Sequence, residues 1–202
     1  MFALVQDNTI TKHLSGNKGV TIGDMQYPSN IFTLWSEEEL NYVGLYSIVF
    51  DNSNKEDEAY YTNTNVSYAF ADGVVTASYG SATAKALADA NGTDADGVEL
   101  DPVVVIEGLK TQHKRSIKQQ ASELLTNTDW YVIKATDVES YSVPSAITTY
   151  RTNTRTASND MEVLIDACST VDELATLYKY VNTGTEEHPV MERPLGEFPE
   201  AV

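Results

Sequence analysis

The spacing of apolar residues changes near residue 100, and this change limits the fold more than any other feature of the sequence. Before it, short runs of β-forming residues are separated by dipeptides such as Asp7-Asn8 and Asp72-Gly73, which favour tight hairpin turns. After it, apolar residues recur every three or four positions, as along one face of an α-helix. The sequence therefore predicts an α+β chain, with a small antiparallel β-rich N-terminal module followed by a helical C-terminal module.

The N-terminal module contains short runs that we expect to form a small sheet with tyrosine-rich faces. These runs are 2–6, 9–14, 45–50, 60–61, 66–70 and 74–79. Between them, Ser36 and Glu39 have the spacing of a capping box, in which each side chain satisfies a backbone amide at the start of a helix. Gly44 is expected to end that helix. Residues 81–90 favour a further helix.

Four helices are predicted in the C-terminal module. The clearest begins near Leu109 and ends at Asn127 to Asp129, and its lysines are expected to face water. Its apolar face consists of Leu109, His113, Ile117, Ala121, Leu124 and Leu125. Pro144-Ser145 opens the second helix, residues 159–167 form the third, and a capping box from Thr170 to Glu173 opens the fourth, which Gly184 closes.

These patterns divide the chain into four segments. Residues 1–90 form the β-rich module with short helices, 91–101 an acidic linker, 102–184 the helical module and 185–202 an extended proline-rich tail. Asp101-Pro102 could cap the helix that follows, whereas the β-branched run 103–106 favours a strand. The sequence leaves both interpretations of residues 103–106 open.

The net charge argues against two kinds of partner. The chain has 13 basic and 30 acidic residues, which give a formal net charge of −17 at pH 7. So few cations offer no broad basic face for nucleic acid, and an anionic membrane surface repels the chain. Residues 102–136 are the exception, with 5 basic and 3 acidic side chains.

The sequence offers little for catalysis. Cys168 is the only cysteine, and the three histidines are scattered. We expect Cys168 to be a buried structural thiol. The segment 89–97 resembles a calcium loop, but with Gly97 as its sixth residue the first and twelfth positions are Gly92 and Val103, so two key carboxylates are missing. No metal and no cofactor are expected. We therefore predict that the protein is not an enzyme, and the first residues show no pattern of a Sec signal peptide.

Binding to another protein is the function that the composition favours. The chain has 12 tyrosines, and tyrosine and tryptophan suit interfaces because they bury a large area at little cost in side-chain entropy. The basic cluster on the first long helix could dock an acidic partner or could be a plain solvated face. The candidate partner-binding residues are Lys110, Lys114, Arg115, Lys118, Trp130, Tyr131, Tyr150 and Arg151.

A short aromatic segment follows the basic helix. We expect Trp130, Tyr131 and Ile133 to act as an anchor that packs this helix against the one opening at Val143-Pro144. If Trp130 lies in the core, its replacement by alanine should cost about 3 to 5 kcal/mol, whereas a cost below about 1 kcal/mol would place it on a partner surface.

Several spaced residues resemble those of a known family. The helix end Leu124–Trp130 continues into Tyr131–Ile133, and the helix that opens at Val143-Pro144 carries Tyr150-Arg151 and Arg155. This arrangement is similar to that of tail-fibre assembly and tail-assembly chaperone-like proteins of tailed bacteriophages. The N-terminal residues Met1–Val5, with Tyr27-Pro28 and Gly44–Tyr46, resemble the β module that opens many such proteins.

The resemblance implies a non-enzymatic protein that binds the phage tail fibre and assists its assembly or attachment. The alternative is a structural virion component of the tail, baseplate or fibre. The expected partner is a tail-fibre or baseplate protein, with a second copy of the chain as a further candidate. The implied location is the host cytoplasm during phage assembly, with retention in the virion tail as the alternative. No catalytic residue comes with the family.

Overall fold

A computed structural model describes all 202 residues. The chain combines strands and helices, which confirms the predicted α+β class. It divides into two compact units, residues 1–83 and 84–202. The boundary therefore lies before the segment 91–101, which belongs to the second unit instead of forming a linker between two modules. None of the helices combines the length and the apolar character needed to cross a bilayer.

The first unit is built on a five-stranded sheet with the order β2-β1-β5-β8-β7. The strands of this unit are β1 (Phe2–Gln6), β2 (Thr9–Leu14), β3 (Val20–Ile22), β4 (Met25–Tyr27), β5 (Leu45–Asp51), β6 (Tyr61–Thr62), β7 (Ser67–Ala71) and β8 (Val74–Ser78), with β9 (Thr83–Ala84) at its end. Neighbouring strands of the sheet are antiparallel except β5 and β8, which pair in parallel. The predicted antiparallel pairing therefore holds for three of the four neighbouring pairs and is wrong for β5 and β8.

Both predicted hairpin turns are present. Asp7 and Asn8 have φ angles of 50° and 58° between β1 and β2, and Asp72 and Gly73 have 51° and 76° between β7 and β8. Two successive positive φ angles are the signature of a type I′ turn, whose twist matches that of the flanking strands. Local sequence thus sets both hairpins.

The sheet curls until its two edge strands approach each other. His13 on β2 and Tyr68 on β7 bring their ring centroids to 4.1 Å. Alternate residues of β1 then face two different clusters, as the two-residue period of a strand requires. Ala3 and Val5 pack with Val75, while Leu4 packs on the other side with residues that include Ile31, Leu40 and Leu45.

Two short helices, α1 (Ile31–Leu34) and α2 (Glu37–Tyr42), cover the side of the sheet on which Leu4 lies. The predicted capping box is present, because the Glu39 amide donates to Ser36 Oγ at 3.3 Å and the Ser36 amide donates to the Glu39 carboxylate at 2.7 Å. These bonds lower the pKa of Glu39. Gly44, with φ of 82°, follows the helix end as predicted.

The second unit contains four helices and two small strand pairs. Its elements are β10 (Ala90–Asn91), β11 (Val105–Ile106), α3 (Leu109–Thr126), α4 (Asp129–Asp137), α5 (Ser145–Ala167), α6 (Val171–Leu177), β12 (Val181–Asn182) and β13 (Met191–Glu192). Helices α3 and α5 pack against each other, and α6 packs against α5. The buried apolar side chains are Leu109, Ile117, Ala121, Ile147, Tyr150, Met161, Ile165, Cys168, Val171, Leu174 and Leu195.

The structure resolves three predictions for the segment before α3. Val105-Ile106 pairs with Ala90-Asn91, so the end of the run 103–106 is a strand. Asp101-Pro102 does not cap a helix, because α3 begins at Leu109 after Gly108. The helix predicted for 81–90 is wrong, since this segment contains strand residues. The carbonyls of Ala86 and Leu87 accept hydrogen bonds from amides at the start of α3.

The later helices also differ from prediction in their limits. The predicted second and third helices are one continuous helix, α5. Helix α6 begins with the predicted capping box but ends at Leu177, well before Gly184. The predicted extended tail in fact packs on the second unit, because Leu195 is buried and its amide donates to the Leu177 carbonyl at 3.0 Å.

Candidate partner-binding site

The basic stripe of α3 faces acidic residues of α5 and is not simply directed to water. Lys114 Nζ lies 2.7 Å from Asp166 Oδ1, and Lys118 Nζ lies 3.0 Å from Glu162 Oε2. Lys110 Nζ donates to the backbone carbonyl of Asp166 at 2.8 Å. The lysines four residues apart on α3 meet acids four residues apart on α5 because the two helices run antiparallel. The expectation that these lysines face only water is therefore corrected.

Arg115, the fourth member of the basic cluster, is also paired. Its Nη1 lies 2.7 Å from Glu107 Oε1, in the segment that leads into α3. The bond to Asp166 raises the pKa of Lys114. Three of the four cations therefore already have carboxylate partners within the chain, and the fourth has a carbonyl. This pairing leaves little unpaired positive charge on α3 for an acidic partner.

Arg151 holds together the end of α3 and the start of α4. From α5, its Nη1 donates to the Leu125 carbonyl at 3.0 Å and to Thr128 Oγ1 at 2.6 Å, and it lies 2.8 Å from Asp129 Oδ1. The last carbonyls of a helix lack intrahelical partners, and an arginine there supplies both hydrogen bonds and a favourable charge. Only 9% of Arg151 is exposed. We call these contacts the Arg151 clamp.

Tyr150 adds to the same junction. Its hydroxyl lies 3.4 Å from the Leu124 carbonyl, a long hydrogen bond, and its ring is buried. Two of the candidate partner-binding residues, Tyr150 and Arg151, are therefore occupied inside the second unit. Their side chains form the joint between the helices and, at 4% and 9% exposure, offer a partner little surface.

A groove of about 460 Å³ lies beside the clamp, between α3 and α5. Charges of both signs line it, namely Lys118, Arg151, Arg155, Asp129 and Glu162. Most of these charges are engaged with one another, since Lys118 pairs with Glu162 and Arg151 with Asp129. The mixture gives the groove no single sign of potential with which to select a ligand.

Helix α4 presents its side chains to solvent. None of its nine residues is buried, and Trp130 and Ile133 are 50% and 59% exposed. The expectation that Trp130, Tyr131 and Ile133 form a packed anchor is therefore wrong for Trp130 and Ile133. A helix of this length is not stable by its intrinsic propensity alone, so it depends on the clamp at Asp129 and on the chain that follows.

One ring of this helix and one from the segment after it flank a lysine. The Trp130 and Tyr131 ring centroids are 3.9 Å apart. Lys134 Nζ lies 5.6 Å from the Trp130 centroid and 4.4 Å from the Tyr141 centroid, so two rings flank one cation. We call Trp130, Tyr131, Ile133, Lys134 and Tyr141 the α4 surface.

Sequence reasoning found part of the α4 surface and missed the rest. Trp130 and Tyr131 were predicted as partner-binding residues, and Ile133 as a packing residue. Lys134 and Tyr141 were not singled out. The signal that could have found Lys134 is its position four residues after Trp130, which places both on one side of a helix. Tyr141 lies beyond the helix end, and no local pattern links it to Lys134.

The single thiol is buried as predicted. Cys168 is 6% exposed, and its Sγ donates to the Leu164 carbonyl at 3.4 Å. Burial raises its pKa, which disfavours the thiolate that a nucleophile requires. Across the chain, no group of three or more histidine, cysteine, aspartate or glutamate side chains is placed to hold a metal ion.

Comparison with known proteins places the chain in no family. No family model matches it, and neither the curated proteins nor the solved structures contain a match.

Proposed function

We propose that this protein is a non-enzymatic bacteriophage tail protein that binds a tail-fibre protein and assists its assembly or attachment. The α4 surface is the proposed contact. The observation that carries the proposal is a tryptophan half exposed to solvent on a helix without a single buried residue. Buried aromatic anchors dominate the energetics of many protein interfaces, and Trp130 is free to become one.

The clamp supports this proposal because it gives the α4 surface a fixed position. Arg151 bonds Leu125, Thr128 and Asp129, immediately before Trp130. A rigid binding surface loses less conformational entropy on association than a mobile one. The residues that resemble those of phage assembly proteins thus fall into two roles, since Tyr150 and Arg151 hold the segment and Trp130 is displayed by it.

The partner contact would be mainly apolar and aromatic. The basic stripe is already paired with α5, so a charge-driven contact through α3 has less support than one through α4. The acidic exterior, with a net charge of −17, would keep a helper protein soluble during fibre assembly in the host cytoplasm. No step of this role requires a cofactor.

Co-expression with the fibre tests the proposal. A candidate tail-fibre protein is produced alone, with the wild-type chain, with Trp130→Ala or with Ile133→Ala, and soluble trimeric fibre is measured. Val163→Ala is the matched control for Ile133→Ala, because Val163 is also β-branched and lies on a helix of the same unit with 66% exposure. We expect the wild-type chain and Val163→Ala to raise the yield of soluble trimer above that of the fibre alone. The two α4 variants should give less soluble trimer than the wild-type chain.

Chemical denaturation of the same variants separates binding from folding. Each should lose less than about 1 kcal/mol of unfolding free energy, since exposed substitutions rarely cost more. A fibre yield that is the same with and without the wild-type chain would refute the helper role. Mass spectrometry of purified particles identifies the alternative, because stoichiometric recovery would make the protein a structural part of the virion.

A further inference from the structure

A second exposed surface lies in the first unit, on the outer side of its short helices. It is a groove of about 570 Å³ lined mainly by aromatic and aliphatic side chains, with carboxylates at its rim. Its lining includes Met25, Tyr27, Trp35, Glu38, Tyr42 and Val43. We call it the α2 groove. It shares no residue with the α4 surface.

The chain builds the floor of the groove from a strand end and the turn between two helices. Tyr27 ends β4, and Trp35 lies between α1 and α2. Their rings meet edge to face, with centroids 5.7 Å apart and an interplanar angle of 80°. Both residues also pack partly against the buried cluster around Leu4 and Leu40. The floor is therefore held by the core and does not depend on a ligand.

The walls of the groove are unusually exposed for apolar residues. Tyr42 is 92% exposed and Met25 is 61% exposed. Scattered exposed apolar residues are ordinary, but a continuous apolar concavity rimmed by polar groups is typical of an interaction site.

The charge at the rim identifies the kind of partner. Glu37, Glu38 and Glu39 follow one another at the start of α2, and the helix has no basic residue. The Ser36 bonds hold the Glu39 carboxylate in place and favour its charged form. Glu38 is exposed, lines the groove and has no cationic partner in the chain. The unit as a whole carries 3 basic and 10 acidic residues, a net charge of −7.

We propose that the α2 groove binds a segment of a partner protein in which arginine or lysine alternates with apolar side chains. A guanidinium or ammonium group can lie over the Trp35 or Tyr27 ring while pairing with Glu38. The neighbouring apolar side chains then cover Met25, Tyr42 and Val43. Arginine fits best, because its planar group both stacks on rings and donates to carboxylates.

Other occupants fit the groove less well. Nucleic acid and anionic lipid carry phosphates, which the carboxylates at the rim repel. A second copy of the chain would have to supply a cationic segment, but its main basic cluster is already paired with Glu162, Asp166 and Glu107. The groove does not depend on the fibre-binding role of the α4 surface, so either proposal can fail while the other stands.

Isothermal titration calorimetry on the full chain tests the proposal. The probe is a short synthetic peptide of arginine and leucine, and two control peptides carry glutamate in place of each arginine or serine in place of each leucine. We expect binding of the arginine–leucine peptide that weakens as salt is added, since exposed ion pairs are screened. Both control peptides should bind at least about tenfold more weakly, because each lacks one half of the complementarity.

Variants of the rim and the wall locate the binding. Glu38→Gln should lower the affinity for the peptide by about fivefold, which is the upper range for the loss of an exposed ion pair. Glu37→Gln removes the same charge from the same helix but does not line the groove, so it should change the affinity by less than about twofold at moderate salt. Tyr42→Ala should weaken binding by about tenfold through the loss of ring contact.

Nuclear magnetic resonance gives a readout that does not depend on affinity. The chain has two tryptophans, Trp35 and Trp130, and their indole N–H signals are assigned from the spectrum of Trp130→Phe. The peptide should shift the Trp35 signal and leave that of Trp130 in place. The proposal is overturned if the arginine–leucine peptide does not bind, if Glu37→Gln and Glu38→Gln weaken it equally, or if Trp130 is the signal that moves. Sedimentation that shows a dimer dissociated by Tyr42→Ala would overturn it as well, because a second copy would then cover the groove.

Discussion

The adjacent residues of the 128–131 segment have opposite environments, although all were singled out by the same resemblance. Thr128 is 4% exposed and bonds Arg151, whereas Trp130, two positions later, is half exposed. The sequence marks both as unusual but does not say which faces inward. Which of the two side chains faces inward depends on where Arg151, 23 residues from Thr128, contacts the end of α3.

Arg151→Met keeps much of the side-chain volume but leaves the Leu125 carbonyl and Thr128 hydroxyl without their cationic donor, so the chain should lose about 2 to 3 kcal/mol of unfolding free energy. The measurement is chemical denaturation monitored by circular dichroism.

Asp129→Asn is the control for this variant. The Asp129 side chain is 51% exposed, so loss of its charge should cost less than about 1 kcal/mol. Equal effects of the two substitutions would show that the ion pair matters more than the bonds to the helix end. A cost below about 1 kcal/mol for Arg151→Met would contradict the structural role of the clamp.

The start of α3 shows how an element can depend on a distant segment. Gly108 precedes the helix, and a Cβ atom there would lie 2.4 Å from the carbonyl group of Ala88. Asp89 accepts a hydrogen bond from the Gly108 amide at 2.8 Å, and this bond is the main cause of the lowered pKa of Asp89. The helix has no cap from its own N-cap side chain, so the 86–89 segment takes that role.

Gly108→Ala should therefore destabilise the second unit. Because the added methyl group meets backbone and not a movable side chain, we expect a loss of about 3 kcal/mol. Gly97→Ala is the comparison, since nothing lies within 4 Å of its Cβ position. There the only cost comes from the φ of 80°, which is unfavourable for alanine by about 1 kcal/mol. Denaturation curves that give equal losses would show that the close approach to Ala88 is unimportant.

Each of the two units of the whole molecule contains its own buried apolar residues. In the first unit these include Leu4, Leu45 and Val75, and in the second Ile117, Ile165 and other helix residues. A unit with its own core can in principle fold alone. The two proposed binding surfaces lie one in each unit, which suits a protein that joins two partners.

The fragments 1–83 and 84–202 should therefore fold separately. Circular dichroism should show mainly strand in the first and mainly helix in the second, and each should unfold cooperatively with a denaturant dependence smaller than that of the whole chain. The fragment 102–202 is the control. It lacks the 86–89 segment that caps α3 and should therefore be less stable than 84–202. Fragments that unfold without a transition would contradict the division into two units.

Features that depend on neighbours a few residues apart could be predicted from the amino-acid sequence. The turns at Asp7-Asn8 and Asp72-Gly73, the capping boxes at Ser36 and Thr170, and the apolar face of α3 all follow from local backbone geometry and helical period. These features were enough to predict the α+β class, because each needs no knowledge of the rest of the chain.

Features that depend on residues far apart in the chain are set by tertiary packing. It set the parallel pairing of β5 with β8, the neutralisation of the α3 lysines by Glu162 and Asp166, and the loss of the helix predicted at 81–90. It also decided that Trp130 is displayed while Arg151 is buried. The physical reason is that a side chain's burial and charge partners are set by the elements that pack against it, and those elements lie tens of residues away.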